Sequence, residues 1–224
     1  MDTDKRQEKK IKPDFLFPTV VVPVNFPDCA KVNEGLIKLA RKMQEQDGKA
    51  KLNHNHSGKN SWQSMREIHK IEDPAMKEWV ESLNPLLNDW AEEILEEKGF
   101  KLIIDSAWFN INPPGGENKP HTHPGSNWSG VYYVDKPEGS GNLQLYDPIT
   151  QRHPLREPRN KTRKSMMDIK LVTGGLIMFP AWLQHSVEVN TCKNDRISIS
   201  FNAIWKFTGG TQNDVNTNSS YAYG

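Results

Sequence analysis

Two periodicities divide this chain. Between about residues 28 and 99 apolar positions recur at helical spacing, and from Leu102 onward they fall into short runs separated by turn signals. In the first region Asp28 can cap a helix running to about Gln46, with Val32, Leu36, Leu39 and Met43 on one stripe. A second helix is expected from Asp73, with Pro74 in its first turn. Its apolar side carries Trp79, Val80, Leu83, Leu87, Trp90, Ile94 and Leu95; Pro85 should kink or split it, and Gly99 can end it. The β-branched, proline-punctuated stretch 14–24 suits an edge strand, and 51–62 reads as a polar loop.

The second region predicts strands over 102–112, 128–134, 142–146, 166–172, 175–179, 184–190 and 196–207. Seven strands after a helical layer argue for a mainly β fold, a double-stranded β-helix (jelly roll, cupin-like) packed against N-terminal helices. The stretch from Arg196 to Asn202 sharpens this expectation. Ile197, Ile199 and Phe201 share one face, and Arg196, Ser198, Ser200 and Asn202 share the other. A solvated edge would alternate in the same way. The apolar run Ala203–Phe207 that follows favours a polar face lining an interior cavity and an apolar face under the helices.

Length and charge add limits. The 224 residues fit one large domain: a disordered leader at 1–12, a domain at 13–207 (helical layer about 28–99, jelly-roll core about 102–207) and a flexible tail at 208–224. Twenty-nine basic against 28 acidic residues leave the chain almost neutral, so net charge points to no partner. Two distant cysteines, Cys29 and Cys192, argue against a disulfide scaffold and fit a reducing compartment. The N-terminus lacks a signal-peptide core, and no run reaches the roughly 18 apolar residues of a membrane helix. A cytoplasmic location is expected, in a cell or an infected host cell.

The candidate chemistry is a histidine set. His121 and His123 form an H-x-H, His185 lies 62 residues beyond His123, and Arg196 follows His185 by 11. An H-x-H on an extended strand directs both rings to one face, and a third imidazole from a distant strand can close three points around a metal. An arginine further along that last strand can hold an acid bound to the same metal. A lone histidine is usually a surface or core residue, but here the pair, the third histidine and the arginine would all have to coincide. This is the layout of a non-haem iron site in a jelly roll, with His123 where a carboxylate usually stands.

At these residues the chain resembles the 2-oxoglutarate- and iron(II)-dependent oxygenases, in particular their prolyl-hydroxylase-like branch. The motifs are His121-Thr-His123, Val131-Tyr-Tyr-Val134, Gly141-Asn-Leu143, Gly175-Leu-Ile-Met-Phe-Pro180, His185 and Arg196-Ile-Ser198. Leu16-Phe-Pro-Thr19, Ser61-Trp-Gln-Ser64 and Trp128-Ser-Gly-Val-Tyr-Tyr133 also resemble a little-characterised group of such oxygenases from bacteria and phages. The likeness runs from about residue 14 to 207. It implies that His121 and His185 bind Fe(II), that Arg196 pairs with the distal carboxylate of 2-oxoglutarate, and that Ser198 and Tyr133 add hydrogen bonds to it. Asn112 stands where those enzymes place another cofactor-contacting residue. The implied reaction couples oxidative decarboxylation of 2-oxoglutarate to hydroxylation of a substrate C–H bond. For His123 three readings remain: a third ligand, a nearby non-ligand, or a bystander to an acid such as Asp135, Asp147 or Glu188. The three-histidine version is preferred.

Residues 151–164 carry six basic side chains against one acid, Glu157. They read either as a solvated loop or as a lid favouring an acidic substrate. The substrate itself is open: peptide, nucleobase or small metabolite. A homodimer through the sheet edge near Phe15 and Phe17 is also open. Two other functions compete with the hydroxylase, a three-histidine cupin-type dioxygenase that uses no oxo-acid and a non-catalytic metal-binding jelly roll.

Overall fold

The structure is a computed structural model that describes residues 18–26, 29–48, 58–95, 98–149 and 165–209. Strand β1 (Val22–Asn25) leads into helix α1 (Ala30–Asp47), two short strands β2 (Gly58–Lys59) and β3 (Trp62–Gln63), and helix α2 (Pro74–Ile94). The strands β4 (Phe100–Asn112), β5 (Glu117–His121), β6 (Trp128–Asp135), β7 (Leu143–Tyr146), β8 (Met166–Ile169), β9 (Gly175–Pro180), β10 (His185–Val187) and β11 (Arg196–Phe207) follow. They form a six-stranded sheet ordered β1-β9-β6-β11-β4-β3 and a five-stranded sheet ordered β2-β5-β10-β7-β8. All the strand pairings are antiparallel. This is the expected double-stranded β-helix, mainly β with two helices against one sheet.

Strand parity decides what lies on each side of the larger sheet. Ala107, Phe109 and Ile111 of β4, Trp128, Tyr132 and Val134 of β6, Leu176 and Met178 of β9, and Ile197, Ile199 and Phe201 of β11 join one core. The helices contribute Leu36, Ala40, Trp79, Leu83 and Leu87 to the same core. The alternate residues face inward. Val131, Tyr133, Ile177 and Phe179 meet Leu143 and Leu145 of the smaller sheet and Leu183 of the β9–β10 turn in a second core. The polar inward positions of β4 and β11 line a cavity beside it. The expected two faces of residues 196–202 are therefore observed.

Helix α2 starts as read: the Asp73 carboxylate accepts from the backbone N–H of Ala75 (2.9 Å) and Met76 (3.3 Å), with Pro74 next to it. Pro85 does not split the helix, which runs unbroken from Pro74 to Ile94. Pro85 and Glu81 are exposed, so water can satisfy the carbonyl that the missing N–H leaves free. The helix ends at Leu95, before Gly99. Helix α1 starts at Ala30, and Cys29 at its cap position makes no side-chain capping bond; Asp28 lies outside the described residues. The hydroxyl of Tyr132 donates to Oδ1 of Asn33 at 2.6 Å and ties α1 to β6.

Several local expectations need correction. Within the supposed loop 51–62, β2 pairs with β5 and the first residue of β3 pairs with β4. Strand β5 was missed because Glu117–His121 is polar throughout and carries Pro120, which hides any alternation. Among the described residues the edge strand covers Val22–Asn25, and it does lie at the edge of the larger sheet. Phe15 and Phe17 lie outside the described residues, as do the leader, the basic stretch 151–164 and the tail from residue 210. No helix among the described residues is long and apolar enough to cross a membrane.

Gly130 shows how closely the layers approach. A Cβ there would lie 2.3 Å from the Phe201 ring, directly across the β6–β11 ladder. Gly130→Ala should cost about 1–3 kcal/mol by overpacking. The measure is a lower urea midpoint at unchanged slope.

Candidate metal centre and its cavity

Strand pairing brings the first two histidines together. His121 ends β5 and His185 begins β10, and the ladder sets them directly opposite each other. Their rings lie 4.3 Å apart between centroids. His123 lies beyond the end of β5, so strand alternation does not aim it. Its backbone N–H donates to the carbonyl of Ala181 at 2.9 Å, and its ring lies 5.1 Å from His121 and 5.0 Å from His185. One candidate ligand atom from each of the three histidines falls within 4.8 Å of the others.

The hydrogen bonds decide which nitrogens are free. Nδ1 of His121 lies 2.7 Å from the carbonyl oxygen of Lys119, and Nδ1 of His185 lies 2.9 Å from that of Leu183. A carbonyl only accepts, so both rings carry the proton on Nδ1 and keep a lone pair on Nε2. His123 directs Nδ1 at Oδ1 of Asn202, 2.6 Å away on the larger sheet. Ser129 also donates to that oxygen (2.9 Å), while Nδ2 of Asn202 donates to Ser106 (3.2 Å). With the amide so placed, all three rings present Nε2.

Electrostatics favours the neutral rings. Burial holds His185 down to about 3 and His123 down to about 4. His121 presses both lower, and the Arg66 guanidinium adds to the effect at His123; the bonds to Leu183 and Asn202 oppose it. Burial lowers His121 as well. Neutral imidazole is the form that binds a metal. Asp135, Asp147 and Glu188 are not in the cluster: Asp147 accepts from the N–H of Ile149, and Glu188 from the N–H of Asn142 and the amide of Gln144. That third reading of the site finds no support.

A cavity of about 360 Å³ joins this cluster to the other expected residues. Arg196, Ser198, Tyr133 and Asn112 all line it, with Arg196 paired to Asn112 and Ser198 to Tyr133 across the ladders. Arg196 is 1% exposed. Its Nη1 donates to the carbonyls of Ser140 and Glu188, which leaves Nη2 buried without a partner. The Tyr133 hydroxyl and Oδ1 of Asn112 are likewise buried and unpaired. Burial raises the Tyr133 hydroxyl against the pull of Arg196, so it remains a donor. Two unpaired donors, one of them charged, fit a carboxylate. Gly141 makes room for the arginine, since a Cβ there would sit 2.6 Å from the Glu188 carbonyl and 2.9 Å from Nη1.

Other cavity residues went unassigned as site residues, Trp108, Asn110 and Asn202 among them. Trp108 and Asn110 share the inward parity of Asn112, and the alternation Trp108-Phe-Asn110-Ile-Asn112 could have revealed them. Asn202 was expected on the cavity face, but its bond to a histidine 79 residues away has no local signal.

Comparisons with known proteins agree with this geometry. Residues 106–202 match the family described as "Putative 2OG-Fe(II) oxygenase". No curated protein sequence matches the chain. Among solved structures, a Pseudomonas putida prolyl-4-hydroxylase aligns at 14% identity over 86% of this chain and 94% of its own, with TM-score 0.58. The non-haem alpha-ketoglutarate-dependent carbocyclase SnoK from nogalamycin biosynthesis aligns at 13% identity over 87% and 84%, with TM-score 0.59. HygX from Streptomyces hygroscopicus, solved with nickel, 2-oxoglutarate and hygromycin B bound, aligns at 9% over 83% and 82%, with TM-score 0.55. These likenesses show a shared fold.

The depressed histidines give a pH dependence with a definite sign. Each binds its proton more weakly folded than unfolded, so between its folded value and about 6.5 the unfolded chain holds more protons. Metal-free protein should therefore keep its full stability above about 6.5 and lose it as pH falls towards about 4 for His123 and about 3 for His185. Urea midpoints across that range measure this, and replacing His123 with Gln should flatten the upper part of the fall. Asn202→Leu, which removes the acceptor of His123, should weaken Co(II) affinity about 10–100-fold, whereas Asn202→Asp retains an acceptor and most of the affinity. Unchanged affinity in the leucine variant would mean that His123 is not a ligand.

Proposed function

We propose that this chain, whose residues 106–202 match the family described as "Putative 2OG-Fe(II) oxygenase", uses His121, His123 and His185 to hold Fe(II) and Arg196, Tyr133 and Ser198 to anchor 2-oxoglutarate. The observation that carries this reading is the pair of unpaired buried donors, Nη2 of Arg196 and the Tyr133 hydroxyl, in the same cavity as three converging neutral imidazoles. When bound, iron and 2-oxoglutarate supply the oxidising chemistry, coupling decarboxylation of the oxo-acid to hydroxylation of a substrate C–H bond.

The chain's own residues supply position and dryness. The Arg196 fork is held by two backbone carbonyls on Nη1, so Nη2 stays aimed without further ordering. Tyr133 donates beside it, and Asn112 on the facing strand offers an acceptor. Val131, Leu143, Phe179 and Val187 line the cavity between the arginine and the histidines and limit water there. The arginine and tyrosine favour this reading over a cupin-type dioxygenase, which has no diacid to hold. Turnover separates it from a non-catalytic module. The substrate is a peptide, nucleobase or small metabolite, and the free Cys29 and Cys192 fit a cytoplasmic setting.

The test is 2-oxoglutarate binding and succinate release by the Fe(II)-loaded protein. Arg196→Ala should abolish 2-oxoglutarate binding and leave Co(II) affinity near the wild-type value. Tyr133→Phe is more selective. It removes a donor that has no partner in the ligand-free protein, so that protein should be as stable as wild type or more so. It should also bind 2-oxoglutarate about tenfold more weakly. Calorimetry and thermal melts read the two effects separately, and unchanged 2-oxoglutarate affinity in both variants would overturn the anchor.

A further inference from the structure

The lining of the cavity has an uneven charge. Arg196 and Arg66 are its charged side chains, and no Asp, Glu or Lys joins them among the described residues. Arg196 is engaged at the inner end. Arg66 is exposed, makes no ion pair or side-chain hydrogen bond among the described residues, and rests over the Trp108 ring with Cζ 5.0 Å from its centroid. On its other contact the indole meets His123, ring to ring at 5.6 Å. The contact with Trp108 restrains the guanidinium and leaves its donor edge free for hydrogen bonds.

Charge counting sets the requirement. Three neutral imidazoles leave a divalent ion with its full charge, where a carboxylate ligand would have offset part of it. A 2-oxoglutarate dianion balances the ion alone. The two guanidiniums then remain as an excess of two positive charges in a cavity without a protein anion. An anionic substrate would neutralise that excess, whereas a neutral one would leave the exposed Arg66 to water alone. Gln63, Asn110 and Ser200, inward-facing polar side chains of β3, β4 and β11, line the same cavity.

The geometry points to Arg66, held on Trp108, as the substrate-recognition residue of this cavity, binding an oxyanion (a carboxylate or a phosphate) carried by the molecule to be oxidised. This rests on the metal and 2-oxoglutarate reading for the charge count, while the arginine, its aromatic seat and its place at the cavity stand independently. The guanidinium fork receives the oxyanion bidentately, and the amides and Ser200 hydrogen-bond the body of the substrate. Arg66 touches no metal ligand directly, so its part is to select and orient the substrate.

The experiment uses protein loaded with Zn(II), as a redox-silent stand-in for iron, and 2-oxoglutarate. It follows the Trp108 indole N–H resonance, assigned with Trp108→Phe. Phenyl phosphate, benzoate and the neutral benzamide are titrated in at constant ionic strength. A saturable shift with one or both anions, absent with benzamide and weakened roughly 10- to 100-fold in Arg66→Gln, is expected. Arg66→Lys should fall between the two, since it keeps the charge without the fork. The preferred anion tells phosphate from carboxylate. No saturable shift with either anion, an equal response to benzamide, or an unchanged response in Arg66→Gln overturns the proposal. If 2-oxoglutarate itself fails to bind, the cofactor reading falls on its own, and the same spectra still report on Arg66.

Discussion

Strand β11 must satisfy two media at once, and most of the molecule follows from that. It runs between β6 and β4, so over Ile197–Ala203 both edges are hydrogen-bonded, and every residue there except the half-buried Ser200 is buried. One parity carries Ile197, Ile199 and Phe201 into the core under the helices; the other carries Arg196, Ser198, Ser200 and Asn202 into the cavity. A one-residue slip would put a guanidinium under the helices and three apolar side chains against the histidines. Register is therefore pinned by the cost of burying a charge without partners as much as by apolar burial. Gly130 and Gly141 give way to this strand, one to the Phe201 ring and the other to the Arg196 guanidinium.

The histidine cluster depends on the same strand at its far end. His121 and His185 are cross-strand neighbours in the smaller sheet, and each directs Nδ1 at the carbonyl two residues earlier. His123 has left its strand and has no such local acceptor. Asn202 supplies one from the opposite sheet, held in turn by Ser129 and Ser106 on the two flanking strands. The cluster therefore spans the seam between the sheets. Moving β11 relative to the smaller sheet would disturb His123 before the other two.

Much of this was legible in the sequence, because period-two alternation is strong in strands with two different buried faces. The two faces of residues 196–202, the strands that carry Tyr133 and His185, and the N-terminus of α2 at Asp73 are all local patterns with one physical interpretation. What was not legible was non-local or lacked contrast. Glu117–His121 is polar throughout, so β5 shows no alternation. The first residue of β3 is a buried Trp62 whose indole N–H reaches Asp47, and two-residue strands owe their existence to the neighbour they pair with. The continuity of α2 through Pro85 depended on which side of the helix faces water. The H-x-H was read as two rings on one strand face, yet only His121 is on a strand, and the convergence comes from a turn and a distant asparagine.

The inner end of the cavity shows why the site is built with unpaired groups. Leaving Nη2 of Arg196 and the Tyr133 hydroxyl buried and unpartnered costs free energy that a saturated network would avoid. Pairing the arginine with a protein carboxylate would remove that cost, and it would also remove the free donors that the proposed diacid anchor needs. The chain instead satisfies Nη1 with the carbonyls of Ser140 and Glu188, which hold the fork without neutralising it. Backbone dipoles orient the cation while a ligand must still supply the counter-charge. The same logic applies at Arg66, where an aromatic face restrains a cation that carries no acid beside it among the described residues. With neutral imidazoles between the two arginines, every negative charge the cavity needs must arrive with its ligands. Under the proposed function, affinity for anions is thus tied to the absence of acids from the lining among the described residues, and introducing one would weaken it at whichever end it stood.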